Sequence, residues 1–197
     1  MLRRYLFIIL SVLSMTVYGQ SATEVLDATA KKLTEAGTYA NFNTFIDGQK
    51  IWGNVAIKGD KFKIASANAI TWYDGKTQWT YMIGTEEVNI SNPDAEQQEL
   101  INPYHFINMY KKGYSASLQT KSGKYYVTLK RTSSKSDITD AVIEIDSKTS
   151  YPSMIKVKTN GQWTEFYISG AKRVNYNTSH FRFPKKQYPD AEIIDLR

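Results

Sequence analysis

Few side chains in this sequence could do covalent chemistry, and their spacing argues against it. The 197 residues contain two histidines, His105 and His180, and no cysteine. Neither imidazole has a ligand-spaced neighbour such as the H-E-x-x-H pair, so packed or surface positions are expected for both. The missing thiols exclude a disulfide framework, a thiolate metal site and a cysteine nucleophile together. No Gly-rich phosphate loop and no G-x-S-x-G elbow occurs. Carboxylates are the remaining option, since two acids from distant strands could face each other as in a glycosidase. Glu86 and Glu87 adjoin a turn. Asp140, Glu144 and Asp146 alternate with apolar Ile143 and Ile145, which is the pattern of a solvent face on a strand. No catalytic residue, metal or cofactor follows from this inventory.

The elements that would position any site divide into one helix and a long run of strands. "SATEVLDATAKKLTEAG" begins with Ser21 three residues before Glu24, a capping-box spacing. Ala22, Val25, Leu26, Ala30 and Leu33 then recur near helical period, and Gly37 supplies a stop. After it the period drops to two. Asp47-Gly48, Gly59-Asp60, Asp74-Gly75, Ser122-Gly123 and Asn160-Gly161 mark reversals between antiparallel strands, because such pairs tolerate the positive φ angles of tight hairpins. The pattern predicts a meander with strands over 39–46, 51–58, 61–66, 69–73, 78–83, 86–91, 124–132, 140–146, 153–159 and 162–169. "NPDAEQQELINPYHFINMYKKG" interrupts it: Pro93 and Pro103 suit first helical turns, Phe106, Ile107 and Tyr110 sit at helical spacing, and Lys111-Lys112-Gly113 suits a helix end.

The N-terminus reads as a secretory leader. "MLRR" is basic, "YLFIILSVLSMTV" is apolar, and Val17-Tyr18-Gly19 matches a cleavage site before Gln20. The apolar run falls short of the roughly 20 residues that a membrane span needs. The expected organisation is therefore a signal peptide over 1–19 and one domain over 20–197, released beyond the membrane. Of the formal charge of +6, two units belong to Arg3 and Arg4 of the leader, leaving +4 spread in short pairs such as Lys111-Lys112, Lys130-Arg131 and Lys185-Lys186. Without a basic block, a solvated surface is expected rather than a nucleic-acid footprint.

Aromatic residues make up 13% of the chain, and "TWYDGKTQWTYMIGTEEVNI" concentrates them. Trp79, Tyr81 and Ile83 share one strand face while Gln78, Thr80 and Met82 share the other. Such a hairpin either fills an ordinary core or lines a hollow that an apolar ligand enters. Composition leaves both open.

The motifs "WYDGKTQWTY…EEVNIS", "NPYHFINMYKKGY", "VIEID…SYPSMIKVKTNGQWTEFYIS" and "HFRFPKKQYPDAEIIDL" resemble, in that order, the LolA-like periplasmic lipoprotein carriers. The resemblance implies a mainly β fold, an antiparallel open half-barrel wrapped around helices with an α-helical lid. It also implies a periplasmic carrier that binds acyl chains of lipoproteins and shuttles them from inner to outer membrane, without enzymatic activity. Its partners would be acylated lipoproteins, an inner-membrane lipoprotein-releasing transporter and an outer-membrane acceptor, and a monomer would suffice. Matched onto "KFKIAS", the resemblance points to Phe62 and Ile64 as cavity residues. Trp52, Trp72, Trp79 and Tyr81 are further cavity candidates, and Phe106, Met109 and Tyr110 are lid candidates, with ordinary core packing as the alternative for each. Where the family carries an Arg that locks the lid, this chain has Gly59-Asp60, with Lys58 and Lys61 the nearby cations. Two rival functions remain: an envelope sensor or interaction module that binds a lipid or lipoprotein without transport, and a hydrolase with paired carboxylates.

Overall fold

A computed structural model describes residues 20–46, 48–94, 97–98, 103–133 and 135–197. The leader with its expected cleavage after Gly19 lies outside these residues, as does Asp47 of the first expected turn. Helix α1 runs over Ala22–Thr34, and its start follows from the capping box: Ser21 Oγ accepts the Glu24 backbone N–H while Glu24 Oε2 accepts the N–H of Ser21. Val25, Leu26, Ala30 and Leu33 are buried along one stripe, each large side chain contributing roughly 1.5–3 kcal/mol of burial. Gly37, at φ +90°, turns the chain out of the helix, as its position after the last periodic residue predicts. A Cβ there would sit 2.6 Å from the Val174 carbonyl.

Among the described residues, twelve strands follow. The first six are β1 (Thr38–Ile46), β2 (Gln49–Lys58), β3 (Lys61–Ser66), β4 (Ala69–Tyr73), β5 (Gln78–Met82) and β6 (Glu87–Ser91). Helix α2 (Pro103–Asn108) and a 3-10 turn over Met109–Lys111 come next. Then come β7 (Tyr114–Lys121), β8 (Lys124–Arg131), β9 (Ile138–Asp146), β10 (Pro152–Thr159), β11 (Gln162–Arg173) and β12 (Glu192–Asp195). The β7–β8 and β10–β11 reversals place Ser122-Gly123 and Asn160-Gly161 at positive φ throughout, which is the primed turn that matches strand twist.

All twelve strands form one sheet in the order β12-β6-β5-β4-β3-β2-β1-β11-β10-β9-β8-β7. It does not close. Two meanders, β1–β6 and β7–β11, are joined side by side through the β1–β11 pair, so the simple meander predicted from the turns is two blocks. Two strands escape the periodicity reading. β7, "YSASLQTK", alternates with too little apolar contrast to stand out, and β12 pairs in parallel with β6, which adds one parallel ladder to an otherwise antiparallel sheet.

The main core lies between α1, α2 and the inner face of β7–β10. Leu26, Ile107, Met109, Val127, Leu129, Ile143 and Ile145 are among its fully buried members. Ile143 and Ile145 point inward, so Asp140, Glu144 and Asp146 face outward as the alternation predicts. There Glu144 pairs with Lys124 and accepts a hydrogen bond from Ser153 Oγ at 2.6 Å. On the other block the inner face is only partly filled, by Ile57, Phe62 and Tyr73.

Candidate functional site

A cavity of about 450 Å³ occupies the space that this smaller cluster leaves. The inner face of β1–β3 contributes Phe42, Val55, Phe62 and Ile64, and β10–β11 contribute Ile155, Phe166 and Ile168. Thr71 of β4, Gln78 and Thr80 of β5, and Phe106 of α2 complete the wall. Strands β5 and β10 stand six steps apart in the sheet order, about 29 Å on a flat sheet at roughly 4.8 Å per step. Meeting around one cavity of this size requires the sheet to curve, with the hollow on its concave side.

The wall has two chemical halves. On β1, β2, β3, β10 and β11 it is aliphatic and aromatic. Phe42 reaches into it because its cross-strand partner on β2 is Gly53, where a Cβ would meet the Phe42 ring at 2.9 Å and the Ala65 carbonyl at 2.1 Å. On β4 and β5 the wall is polar: the Thr71 and Thr80 hydroxyls lie 3.3 Å apart, and Gln78 Nε2 donates to Thr80 Oγ1 at 3.4 Å. Gln78 Oε1 is buried with no hydrogen-bond partner among the described residues. At one end Tyr73 stacks on Phe62 with ring centroids 5.2 Å apart, and its hydroxyl accepts from Gln98 Nε2 at 2.7 Å. Burial, reinforced by the Asp60 charge, holds the Tyr73 phenol above its usual pKa.

Register places the sequence-derived candidates on both sides of the sheet. Phe62 and Ile64 line the cavity, Phe62 fully buried and Ile64 half-buried. Trp72, Trp79 and Tyr81 do not. Lys63 pairs with Trp72 and Trp72 with Trp79, which puts these rings on the face opposite Phe62 and Ile64. The reason lies in the C-terminal segment. Phe183 and Tyr188 pack against Trp72 at 5.5 and 5.9 Å, and Tyr188 against Tyr81 at 4.5 Å, making a second, outer cluster that satisfies the aromatic face and leaves Thr71, Gln78 and Thr80 for the hollow. Arg182 pairs with Asp74 at 3.0 Å and pins this segment to the β4–β5 turn. Trp52 also points outward, two-thirds exposed, because it alternates with inward Gly53 and Val55 on β2.

The residues expected in a lid separate too. Phe106 faces the cavity and stacks on Phe166 at 6.4 Å. Met109 is fully buried in the main core, away from the cavity wall. The Tyr110 hydroxyl donates to Asp27 Oδ1 of α1 at 2.5 Å beside a Lys111–Asp27 ion pair at 2.9 Å. Those two partners, Tyr110 first, hold the Asp27 carboxyl below its ordinary range. Residues 95–96 and 99–102 lie outside the described segments. In the described part of the insertion, Gln97–Gln98 are helical and reach Tyr73, while α2 and the 3-10 turn after it are fastened to α1.

The outer-membrane lipoprotein carrier protein LolA family model matches residues 13–162. The chain belongs to that family. Its fold is also shared by an uncharacterized conserved protein from Thermus thermophilus, with a TM-score of 0.63, 16% identity, and coverage of 88% of this chain and 98% of that one. A LolA superfamily protein from Nitrosomonas europaea overlays with a TM-score of 0.46 and 10% identity over 84% of this chain and 99% of that one. The MucA/MucB complex of Pseudomonas aeruginosa gives 0.47 and 10% over 84% and 62%. No curated protein is significantly similar.

In this LolA-family protein both cations near the position of the expected lid-locking Arg have partners outside α2. Lys58 Nζ donates to the Tyr176 carbonyl at 2.5 Å, and Lys61 pairs with Asp60 at 2.8 Å. The inward placement of Phe42 is within reach of the sequence, since it alternates with Asn41 and Asn43, whereas Val55 beside Ala56 and Ile155 beside Met154 sit in strands of weaker contrast. The missing signal is the sign of each face.

Proposed function

We propose that the cavity receives one acyl chain of a lipoprotein, and that the protein is a non-enzymatic periplasmic carrier that hides the chain between inner and outer membrane. The observation that carries this reading is the unfilled, largely apolar hollow of about 450 Å³. A cavity of roughly 150 Å³ accommodates benzene. By that measure this one takes about three times six carbons, close to one acyl chain of sixteen to eighteen. Leaving a sixteen-carbon chain in water costs on the order of 12 kcal/mol at about 0.8 kcal/mol per CH₂, so shielding it is the work of a carrier. The polar strip on β4 and β5 limits the gain and favours release. Under this reading residues 1–19 are removed after Gly19. The partners are acylated lipoproteins, a releasing transporter in the inner membrane and an acceptor at the outer membrane, and Phe62, Ile64 and Phe106 touch the chain.

The experiment is displacement of a fluorescent apolar probe by a triacylated lipopeptide and by its deacylated counterpart. Saturable displacement by the acylated form alone supports the reading. Absence of probe binding refutes it. Phe62→Glu puts a charge into a fully buried stack and can unfold the sheet, so Ile64→Glu, half-buried on the same wall, is the decisive variant: a folded I64E protein with unchanged affinity removes the assignment. A second reading draws on the capacity itself. Room for one chain leaves two chains of a triacylated lipoprotein outside, which suits a sensor that recognises a lipid or lipoprotein without carrying it. Transfer of bound lipopeptide to acceptor vesicles supports the carrier; binding without transfer supports the sensor.

A further inference from the structure

The outer face of β10, β11, β1 and β2 carries a patch that the cavity does not use. Register builds it in rows across four neighbouring strands. Trp52 pairs with Asn43, Asn43 with Tyr167, and Tyr167 with Met154. One step along, Lys50 pairs with Phe45, and Glu165 with Lys156. On the far side of that row Trp163 pairs with Lys158. Phe45 is 57% exposed, Trp52 67%, Trp163 42% and Tyr167 44%. Four large rings left in water within three neighbouring rows of one sheet face form a patch rather than scattered single residues.

The charges between the rings are mostly of one sign. Lys50, Lys156 and Lys158 stand among them, the Lys156 and Lys158 ammonium groups lying 5.0 and 5.9 Å from the Trp163 ring centre. Glu165 is the acid inside the patch, and it is occupied by Lys156 at 2.6 Å and by the Tyr167 hydroxyl. Asp140, opposite Lys158, and Glu144, opposite Met154 and paired with Lys124, mark the border on β9. Protein interfaces enrich aromatic residues but deplete Lys at their core. A bilayer interface takes both: Trp and Tyr rings settle at headgroup depth, and Lys is drawn to anionic phosphates.

We propose that this outer face docks on the surface of an anionic phospholipid bilayer. Trp52, Phe45, Trp163 and Tyr167 enter the headgroup layer, and Lys50 and Lys158 contact its phosphates. The concave cavity then faces away from the bilayer surface. This goes beyond the carrier reading and does not depend on it, since a sensor or a carrier could dock in the same way.

The test is co-sedimentation of the full chain with vesicles of phosphatidylglycerol and phosphatidylcholine in equal parts, and with vesicles of phosphatidylcholine alone. Variants are compared in the same full chain, so any contribution of residues 1–19 cancels. Binding to the anionic vesicles is expected, weakened by salt. Each of Lys50→Ala and Lys158→Ala is expected to weaken it about fivefold, and Trp52→Ala roughly tenfold. These side chains are exposed, so melting curves should stay put. Displacement of the apolar probe from the cavity should be unaffected in Trp52→Ala, which separates failure here from failure of the acyl-chain reading. Equal binding to both vesicle types, or unchanged binding in the folded Trp52→Ala and Lys158→Ala variants, overturns the proposal. So does the absence of binding to the anionic vesicles, and a dimer that Trp52→Ala dissociates would then assign the face to a second copy.

Discussion

Chain length is the most direct gauge of the cavity, because volume and methylene count are linked. If the hollow of about 450 Å³ holds a single chain, affinity for fatty acids of increasing length should rise by a factor of about four per CH₂, corresponding to about 0.8 kcal/mol each. It should level off near eighteen carbons, when further methylenes remain in water. Val55→Trp tests the geometry. Val55 is half-buried on the wall, opposite Ile64 on β3, and indole adds seven non-hydrogen atoms to a side chain that already points into the hollow. The plateau should move down to about eleven carbons while the slope below it stays the same, since a filled cavity is shorter and no less apolar. Displacement of a fluorescent probe by a homologous series, measured for both proteins, gives the two curves. A plateau that stays at the same length in a folded Val55→Trp protein would refute the assignment of this wall, and a rise without any plateau would refute the cavity as the binding site.

Other perturbations separate the cavity from its surroundings. Trp72→Ala should cost about 3–5 kcal/mol in urea unfolding, the range for emptying a large buried aromatic site, yet leave probe affinity unchanged at temperatures where the protein is folded, because Trp72 is on the outer face. Gly53→Ala should destabilise by at least about 2 kcal/mol and reduce probe binding together with it, because its Cβ collides with the Ala65 carbonyl and the Phe42 ring. His180 stacks on Tyr176 at 4.4 Å, and burial, aided by the Lys63 charge, keeps its pKa below the ordinary 6.5. The unfolded chain therefore takes up a proton that the folded one refuses. The stability from a neutral His180 is complete above about pH 6.5 and declines as pH falls through the lowered folded value; thermal melts of His180→Gln should lose that part of the slope. Asp27→Asn should change global stability by less than about 1 kcal/mol, as for other exposed pairs, while amide exchange in α2 accelerates because Tyr110 and Lys111 lose their shared partner.

Much of this architecture is legible in local chemistry. The capping box of α1, the turn glycines and the period-two strands rest on short-range rules, and the resemblance of the ordered motifs to lipoprotein carriers points to an open sheet. The β4–β5 hairpin shows where legibility stops. Alternation separates Trp79 and Tyr81 from Gln78 and Thr80, but a strand with two distinct faces does not state which one turns inward. Apolar residues would ordinarily be assigned to the interior. Here Phe183 and Tyr188, about a hundred residues later in the chain, cover the aromatic face from outside, and that is tertiary information. The insertion shows the same limit: local spacing does not state that Phe106 faces the hollow, that Met109 enters the main core and that Tyr110 meets α1.

The parallel pairing of β12 with β6 bears on how the sheet avoids self-association. A sheet that does not close keeps two rims, and each rim offers unpaired amide and carbonyl groups on which another chain could add a strand. On one side β12 takes that position with four residues, two of them acidic, and Arg197 folds back onto Asp195. Its brevity and charge make it a poor template. Remove it, and β6 becomes the rim, with Val88 and Ile90 set between Glu87 and Ser91. A C-terminal tail of no evident chemical interest thus acts as a guard against fibrous self-assembly, and nicking near Ala191 should turn a stable sheet into an aggregation-prone one.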